Sequence, residues 1–166
     1  MPSHNMEGTF MISPAAEADK EQIKDITARA GLFSQEEIDS VPVMFDEYLQ
    51  YGTDGDGYHF LVYREGERVL GYAIFGWRYL TDGVYDLYWI AVDPDARRKG
   101  VGRALITACE EAVRELGGHI LIAETSGTEE YASTREFYAK MGYENEATIR
   151  DFYKLGDDLM IYTKRV

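Results

Sequence analysis

Residues 97–103 gather four basic side chains and two glycines, Arg97-Arg98-Lys99-Gly100-Val101-Gly102-Arg103, in a chain with 30 acidic and 17 basic residues. They follow a β-rich run, Leu87-Tyr88-Trp89-Ile90-Ala91-Val92, and a turn, Asp93-Pro94-Asp95-Ala96. An apolar-periodic helix follows them. A helix start presents unpaired backbone N–H groups and the positive end of a dipole. Gly100 and Gly102 have no Cβ, so an anion can approach the backbone closely. Phosphate binding is the chemistry that this order of strand, turn, basic run and helix supports. The Walker spacing is missing. So is the Rossmann fingerprint, because Leu105 stands where its third glycine would fall.

The helices and strands that would carry this elbow can be read from periodicity. Thr9–Ser13 reads as a short strand. A helical pattern then starts at Pro14, turns Ile23, Ile26 and Ala30 inward, and ends at Gly31. Ser34–Tyr51 reads as a second helix, with Pro42 as a kink or break and Ile38, Phe45 and Leu49 facing the core. Thr53–Gly57 is a loop without calcium-loop spacing. Tyr58–Arg64, Arg68–Trp77 and Val84–Val92 are three β-runs joined by hairpin turns at Glu65-Gly66-Glu67 and Thr81-Asp82-Gly83. A helix over Gly100–Leu116, a strand at His119–Thr125 and a helix over Tyr131–Met141 follow. Two strands, near Tyr143–Arg150 and Asp158–Lys164, close the chain. The order predicts a mixed α/β sheet in a single domain over residues 1–166.

Composition narrows the partners. A net charge of −13 argues against nucleic acid, whose phosphates need a basic face. The same charge favours cationic partners such as protonated amines. The one cysteine, Cys109, shares a helical spacing with Val101, Leu105, Ala112 and Leu116 and reads as core. It suits a reducing compartment. No run approaches the ~18 apolar residues of a membrane span, and no signal peptide stands out, so a cytoplasmic protein without membrane contact is expected. His4, His59 and His119 show no metal-ligand spacing, so no metal is expected. The oligomeric state stays open, a homodimer included.

The segment Ile90-Ala91-Val92-Asp93-Pro94 followed by Arg97-Arg98-Lys99-Gly100-Val101-Gly102 resembles the acyl-CoA-binding motif of the GNAT superfamily of N-acyltransferases. A second landmark of that family is matched by Phe137-Tyr138-Ala139-Lys140-Met141-Gly142-Tyr143. The resemblance implies an α+β fold with a mixed, mostly antiparallel sheet of six to seven strands and helices on both faces. It implies acetyl-CoA as co-substrate and direct transfer to a primary amine of a small molecule or peptide N-terminus. It further implies that the Ile90 N–H faces the thioester carbonyl as an oxyanion donor. Ala91 and Val92 would line the pantetheine arm, with Val92 pairing to it. The N–H groups around Arg98, Lys99, Gly100, Val101, Gly102 and Arg103 would hold the diphosphate, with side-chain charge from Arg97, Arg98 and Lys99.

Acetyl transfer also needs a base and an acid. Tyr138 is implied as the acid that protonates the departing thiolate. With reference pKa values of about 10 for phenol and 8.5 for thiol, that help takes the form of a hydrogen bond strengthening in the transition state, or of an acid with a lowered pKa. Two carboxylates compete as base. Asp86 has the strand parity of Ile90 and Val92. Glu124 ends an apolar strand where a carboxylate is unusual. Ser126 and Tyr131 are further candidates for contact with substrate or CoA, and the resemblance of the tail Asp151–Asp158 to N-terminal acetyltransferases implies Tyr153 as an acceptor-site residue. A non-catalytic acyl-CoA sensor or subunit is the alternative, since it would keep the phosphate elbow and need neither acid nor base.

Overall fold

The computed structural model describes residues 9–52 and 57–166. In chain order these form β1 (Phe10–Pro14), α1 (Lys20–Arg29), α2 (Gln35–Tyr51), β2 (Tyr58–Glu65), β3 (Arg68–Trp77) and β4 (Val84–Val92). Then come α3 (Val101–Glu115), β5 (Ile120–Ser126), α4 (Ala132–Lys140), β6 (Glu144–Lys154) and β7 (Asp157–Arg165). The strands make one seven-stranded sheet in the order β1-β2-β3-β4-β5-β7-β6. β4 and β5 run parallel, whereas β1–β2, β5–β7 and β6–β7 are antiparallel. The mixed, mostly antiparallel sheet expected from sequence is present. Most of the expected Thr53–Gly57 loop lies outside the described residues.

Two compact units divide the chain. The first comprises the residues up to Ile74 together with Trp89–Cys109, and the second comprises Phe75–Tyr88 with Glu110–Val166. The first unit's core joins Ile23 and Ile26 of α1, Val41, Phe45 and Tyr48 of α2, and Phe60, Val62, Tyr72 and Ile74 of the sheet. α2 begins in a capping box. The Glu37 N–H donates to Ser34 Oγ at 3.2 Å, and the Ser34 N–H donates to Glu37 Oε2 at 2.7 Å. Pro42 lies inside α2 without ending it.

Three expectations need correction here. Pro14 closes β1 instead of opening a helix. A 3-10 turn at Glu17–Asp19 intervenes, fixed by the Ala16 N–H on Asp19 Oδ2 at 2.8 Å and by the Arg64–Asp19 ion pair at 2.8 Å. Leu49 is 41% exposed, because the inward stripe of α2 runs through Val41, Phe45 and Tyr48. Leu116 lies one residue beyond α3 and faces solvent, while Cys109 and Val113 are fully buried.

In the second unit Val113, Leu121, Ala123, Leu159 and Tyr162 are buried. β6 is the edge strand and is exposed along its whole length. A register shift between Asn145 and Ala147 leaves Glu146 as the extra residue. Its carboxylate accepts from the Thr163 hydroxyl and pairs with Arg165 at 2.7 Å.

Candidate functional site

The elbow between β4 and α3 belongs to the first unit. Its foundation is Asp93, only 2% exposed. Arg29 grips both carboxylate oxygens, at 2.8 and 3.1 Å, and Arg68 reaches Oδ2 at 3.3 Å. The Asp93 N–H donates to Leu70 O at 2.8 Å, and Asp93 Oδ1 accepts from the Asp95 N–H at 2.9 Å. The hydrogen bonds from Arg29 lead the causes that hold this carboxyl far below the usual carboxylate range. A depressed folded-state pKa stabilises the fold above the unfolded value near ~3.9, and that stabilisation is lost as pH falls toward the folded value. The Asp93→Asn variant is therefore expected to have a lower Tm at neutral pH. Its stability should also fall less steeply than the parent's below about pH 4, as read by thermal melts across an acid series.

Past Pro94 the backbone becomes unusual. Arg98 and Gly100 both adopt left-handed conformations, with φ of 64° and 78°. Left-handed residues in a tight turn build the amide concavities in which anions bind. Gly100 is free of crowding, since a Cβ there would meet nothing within 4 Å, so its conformation is what calls for glycine. Gly71 on β3 has the opposite reason. A Cβ there would come within 2.8 Å of Val101 Cγ1 and 3.0 Å of Ala91 O, so its absence lets the first residue of α3 settle against the sheet. The Ala104 N–H donates to Gly100 O at 3.0 Å. The amides of Val101, Gly102 and Arg103 ahead of it are thus first-turn donors of α3. Arg98, Lys99 and Arg103 are exposed and keep their charge at the elbow's surface. Arg97 has a structural partner as well. Its Nη2 donates to Ala30 O at 2.8 Å, capping the carbonyl end of α1. The residues present fit a bound diphosphate through backbone amides flanked by cations.

Along β4, Tyr85, Leu87 and Ala91 are buried, and Asp86, Ile90 and Val92 share the other strand parity. The pairing of β4 with β5 runs from Val84↔Ile120 to Leu87↔Ala123, while β4 itself continues to Val92 and β5 to Ser126. Ile90 and Val92 therefore lie past the end of that ladder.

The second unit holds Asp86, Glu124 and Tyr138. Asp86 pairs with Ile122, and Glu124 stands two residues farther along β5, so both carboxylates lie on one face of the sheet. They share a partner that the sequence reading omitted. Nη1 of Arg78 donates to Asp86 Oδ1 at 2.8 Å and to Glu124 Oε1 at 3.4 Å. The Glu124 side chain is 39% exposed and that of Asp86 only 14%, so Asp86, not Glu124, is the more buried carboxylate. Hydrogen bonding and charge from Asp86 raise the already high pKa of Arg78 and keep it a cation. The signal for Arg78 was its place at the hairpin, where its N–H donates to Val84 O at 2.8 Å, close in register to Asp86.

Tyr138 is buried, with ring centroids 5.7 Å from Tyr143 and 5.8 Å from Tyr162. The motif around it has a local physical cause. The Tyr143 N–H donates to Tyr138 O at 3.0 Å and the Gly142 N–H to Ala139 O at 3.1 Å, with Gly142 at φ 87°. That is a Schellman helix end, in which the glycine takes the left-handed position and Tyr138 and Tyr143 supply the accompanying apolar contact. Lys164 secures the same end, donating to Met141 O at 2.8 Å and pairing with buried Glu110 at 2.5 Å. Ser126 is absorbed by structure: its Oγ donates to Asp157 Oδ1 at 2.5 Å, and Arg135 binds its carbonyl at 2.9 Å. Tyr153 is half exposed on the β6–β7 hairpin. Among the described residues no group of three or more His, Cys, Asp or Glu could hold a metal ion, and no helix is long and apolar enough to cross a membrane.

The profile of the acetyltransferase (GNAT) family matches residues 22–143. A ribosomal protein bS18-alanine N-acetyltransferase of Salmonella typhimurium is 33% identical over 112 residues, 66% of this chain and 70% of that protein. A solved GNAT-family protein from Desulfovibrio desulfuricans is 38% identical and superposes with a TM-score of 0.91, covering 95% of this chain and 99% of its own. A Salmonella typhimurium protein solved with acetyl-CoA superposes at 0.72 over 94% of this chain and 93% of its own, at 22% identity, a likeness of fold alone. The family match spans both the elbow and the tyrosine motif, and the chain is an acetyltransferase of the GNAT family.

Proposed function

We propose that this acetyltransferase moves an acetyl group from acetyl-CoA directly to a primary amine, with residues 1–166 acting as one catalytic domain in the cytoplasm. The observation that carries the reading is the left-handed pair Arg98 and Gly100 at the start of α3. The amides of Arg98–Arg103 take the CoA diphosphate, and Arg98, Lys99 and Arg103 add charge. The Ile90 N–H stabilises the oxyanion of the thioester carbonyl, and the main chain of Ala91 and Val92 runs beside the pantetheine arm. The end of the β4–β5 ladder at Leu87↔Ala123 supports this, because it comes before those residues.

The amine arrives as an ammonium ion and gives one proton to a carboxylate, Asp86 or Glu124, directly or through water. Its freed lone pair attacks the acetyl carbonyl carbon. The C–S bond then breaks, and the sulfur leaves with its electron pair and takes a proton from the Tyr138 hydroxyl, while the nitrogen gives up its second proton through water to the Tyr138 phenolate, leaving a neutral amide, a thiol and a restored hydroxyl. Holding the amine and thioester together supplies much of the rate. The Salmonella relative, a ribosomal protein bS18-alanine N-acetyltransferase, supports testing peptides beside small amines. The experiment is a thiol-release assay with acetyl-CoA across polyamines, amino acids and short peptides. Acceptor-dependent thiol with at least one primary amine is the expected result. Saturable CoA binding without acceptor-dependent thiol would overturn the reading in favour of a CoA sensor.

A further inference from the structure

We infer that Arg78 sets the acceptor specificity, its Nη1 standing in for the ammonium group of a cationic alkylamine that must displace it. The inference rests on the reading above, in which Asp86 and Glu124 receive the acceptor amine. Both contacts of Arg78 to the carboxylates run through one nitrogen, 2.8 Å from Asp86 Oδ1 and 3.4 Å from Glu124 Oε1. A guanidinium is built to clasp one carboxylate with two nitrogens, whereas a primary ammonium is a point charge with three donors. One nitrogen bridging two carboxylates is the geometry of an ammonium. Displacement exchanges one singly charged cation for another, so an ammonium leaves the charge between the two carboxylates as Arg78 set it.

Arg78 is well placed to leave. Its side chain is 45% exposed, so water can take over its donors when it swings away from the more buried Asp86. The hairpin beyond it is also open, with Tyr79 and Leu80 exposed by 74% and 84%. Displacement links binding to chemistry. While Nη1 lies between Oδ1 and Oε1, an ammonium cannot take that bridging position. Once an ammonium replaces it, the same oxygens lie against the proton that must be removed. A neutral arylamine carries no charge with which to evict Arg78 and is therefore a poor acceptor.

The test compares the full-length protein with its Arg78→Ala, Arg78→Gln and Arg78→Lys variants. In the Ala and Gln variants KM for a small alkylamine should fall about three- to tenfold, with KM for acetyl-CoA unchanged. The Lys variant, which restores a displaceable cation, should stay near the parent. A raised or unchanged alkylamine KM in both the Ala and Gln variants would overturn the inference. A second readout needs no turnover. Methylguanidinium, which copies the lost head group, should bind the Ala variant saturably by NMR titration and should not bind the parent. No saturable binding to the folded Ala variant would also overturn it. If no amine is acetylated by any variant while methylguanidinium still fills the gap, the acetyl-transfer reading fails and the cation site stands.

Discussion

Replacing Tyr138 by Phe is expected to lower kcat about 100-fold while leaving KM for acetyl-CoA within about twofold, in keeping with the loss of one proton donor in the transition state. The substitution separates the proposed acid role from the packing that the structure shows. Tyr138 ends α4 in a Schellman motif and packs its ring near Tyr143 and Tyr162. A phenylalanine ring keeps that apolar contact, and the backbone bond from the Tyr143 N–H does not involve the side chain. Only the hydroxyl is lost. Steady-state kinetics with saturating amine reads the result, and a thermal melt checks that packing survives. An unchanged kcat would remove Tyr138 from the acid role and leave it as a helix-end aromatic.

The second large effect is expected at Gly100. A valine at φ 78° is strained by its branched Cβ, and non-glycine residues in such conformations cost about 1–3 kcal/mol. Because a Cβ there meets no neighbour, the strain is relieved by abandoning the left-handed turn, not by disturbing the core. The amides would then lose their alignment. KM for acetyl-CoA should rise about 10- to 100-fold in Gly100→Val. Gly100→Asn, whose side chain tolerates the left-handed region, should stay within a few-fold of the parent. Equal losses in both variants would point to bulk, not backbone conformation, as the requirement. No loss in either would place the diphosphate elsewhere.

These predictions draw on features that were unevenly legible in the sequence. The elbow was legible because glycine, proline and basic residues carry its backbone logic in their own covalent structure. The strand order β2–β3–β4 and the helix after it were legible because turns such as Glu65-Gly66-Glu67 punctuate a clear change of period. Pro14 misled, because a proline that opens a helix and one that closes a strand look alike until the capping partner is known. Here Arg64, 45 residues beyond Asp19, decides it. Leu49 misled because Tyr48 fits the inward stripe equally well, with its hydroxyl donating to Ala15 O at 2.8 Å.

At the candidate site, periodicity gave the parity of Asp86 but no hint of its ion pair. Arg78 is named by cross-hairpin geometry, and Arg97 is claimed by the carbonyl end of α1, a contact between residues 67 positions apart. Glu124 looked unusual because its strand is apolar, yet it stands 39% exposed, so its chemistry depends on what shares its face and not on burial. Long-range polar contacts of this kind leave no local pattern for periodicity to detect.

A crystal structure of the protein soaked with CoA tests the central claim most directly. Diphosphate oxygens are expected within about 2.7–3.2 Å of the backbone nitrogens of Val101, Gly102 and Arg103, with Arg98 and Gly100 still left-handed. A diphosphate bound away from those amides, with the elbow facing only solvent, would contradict it.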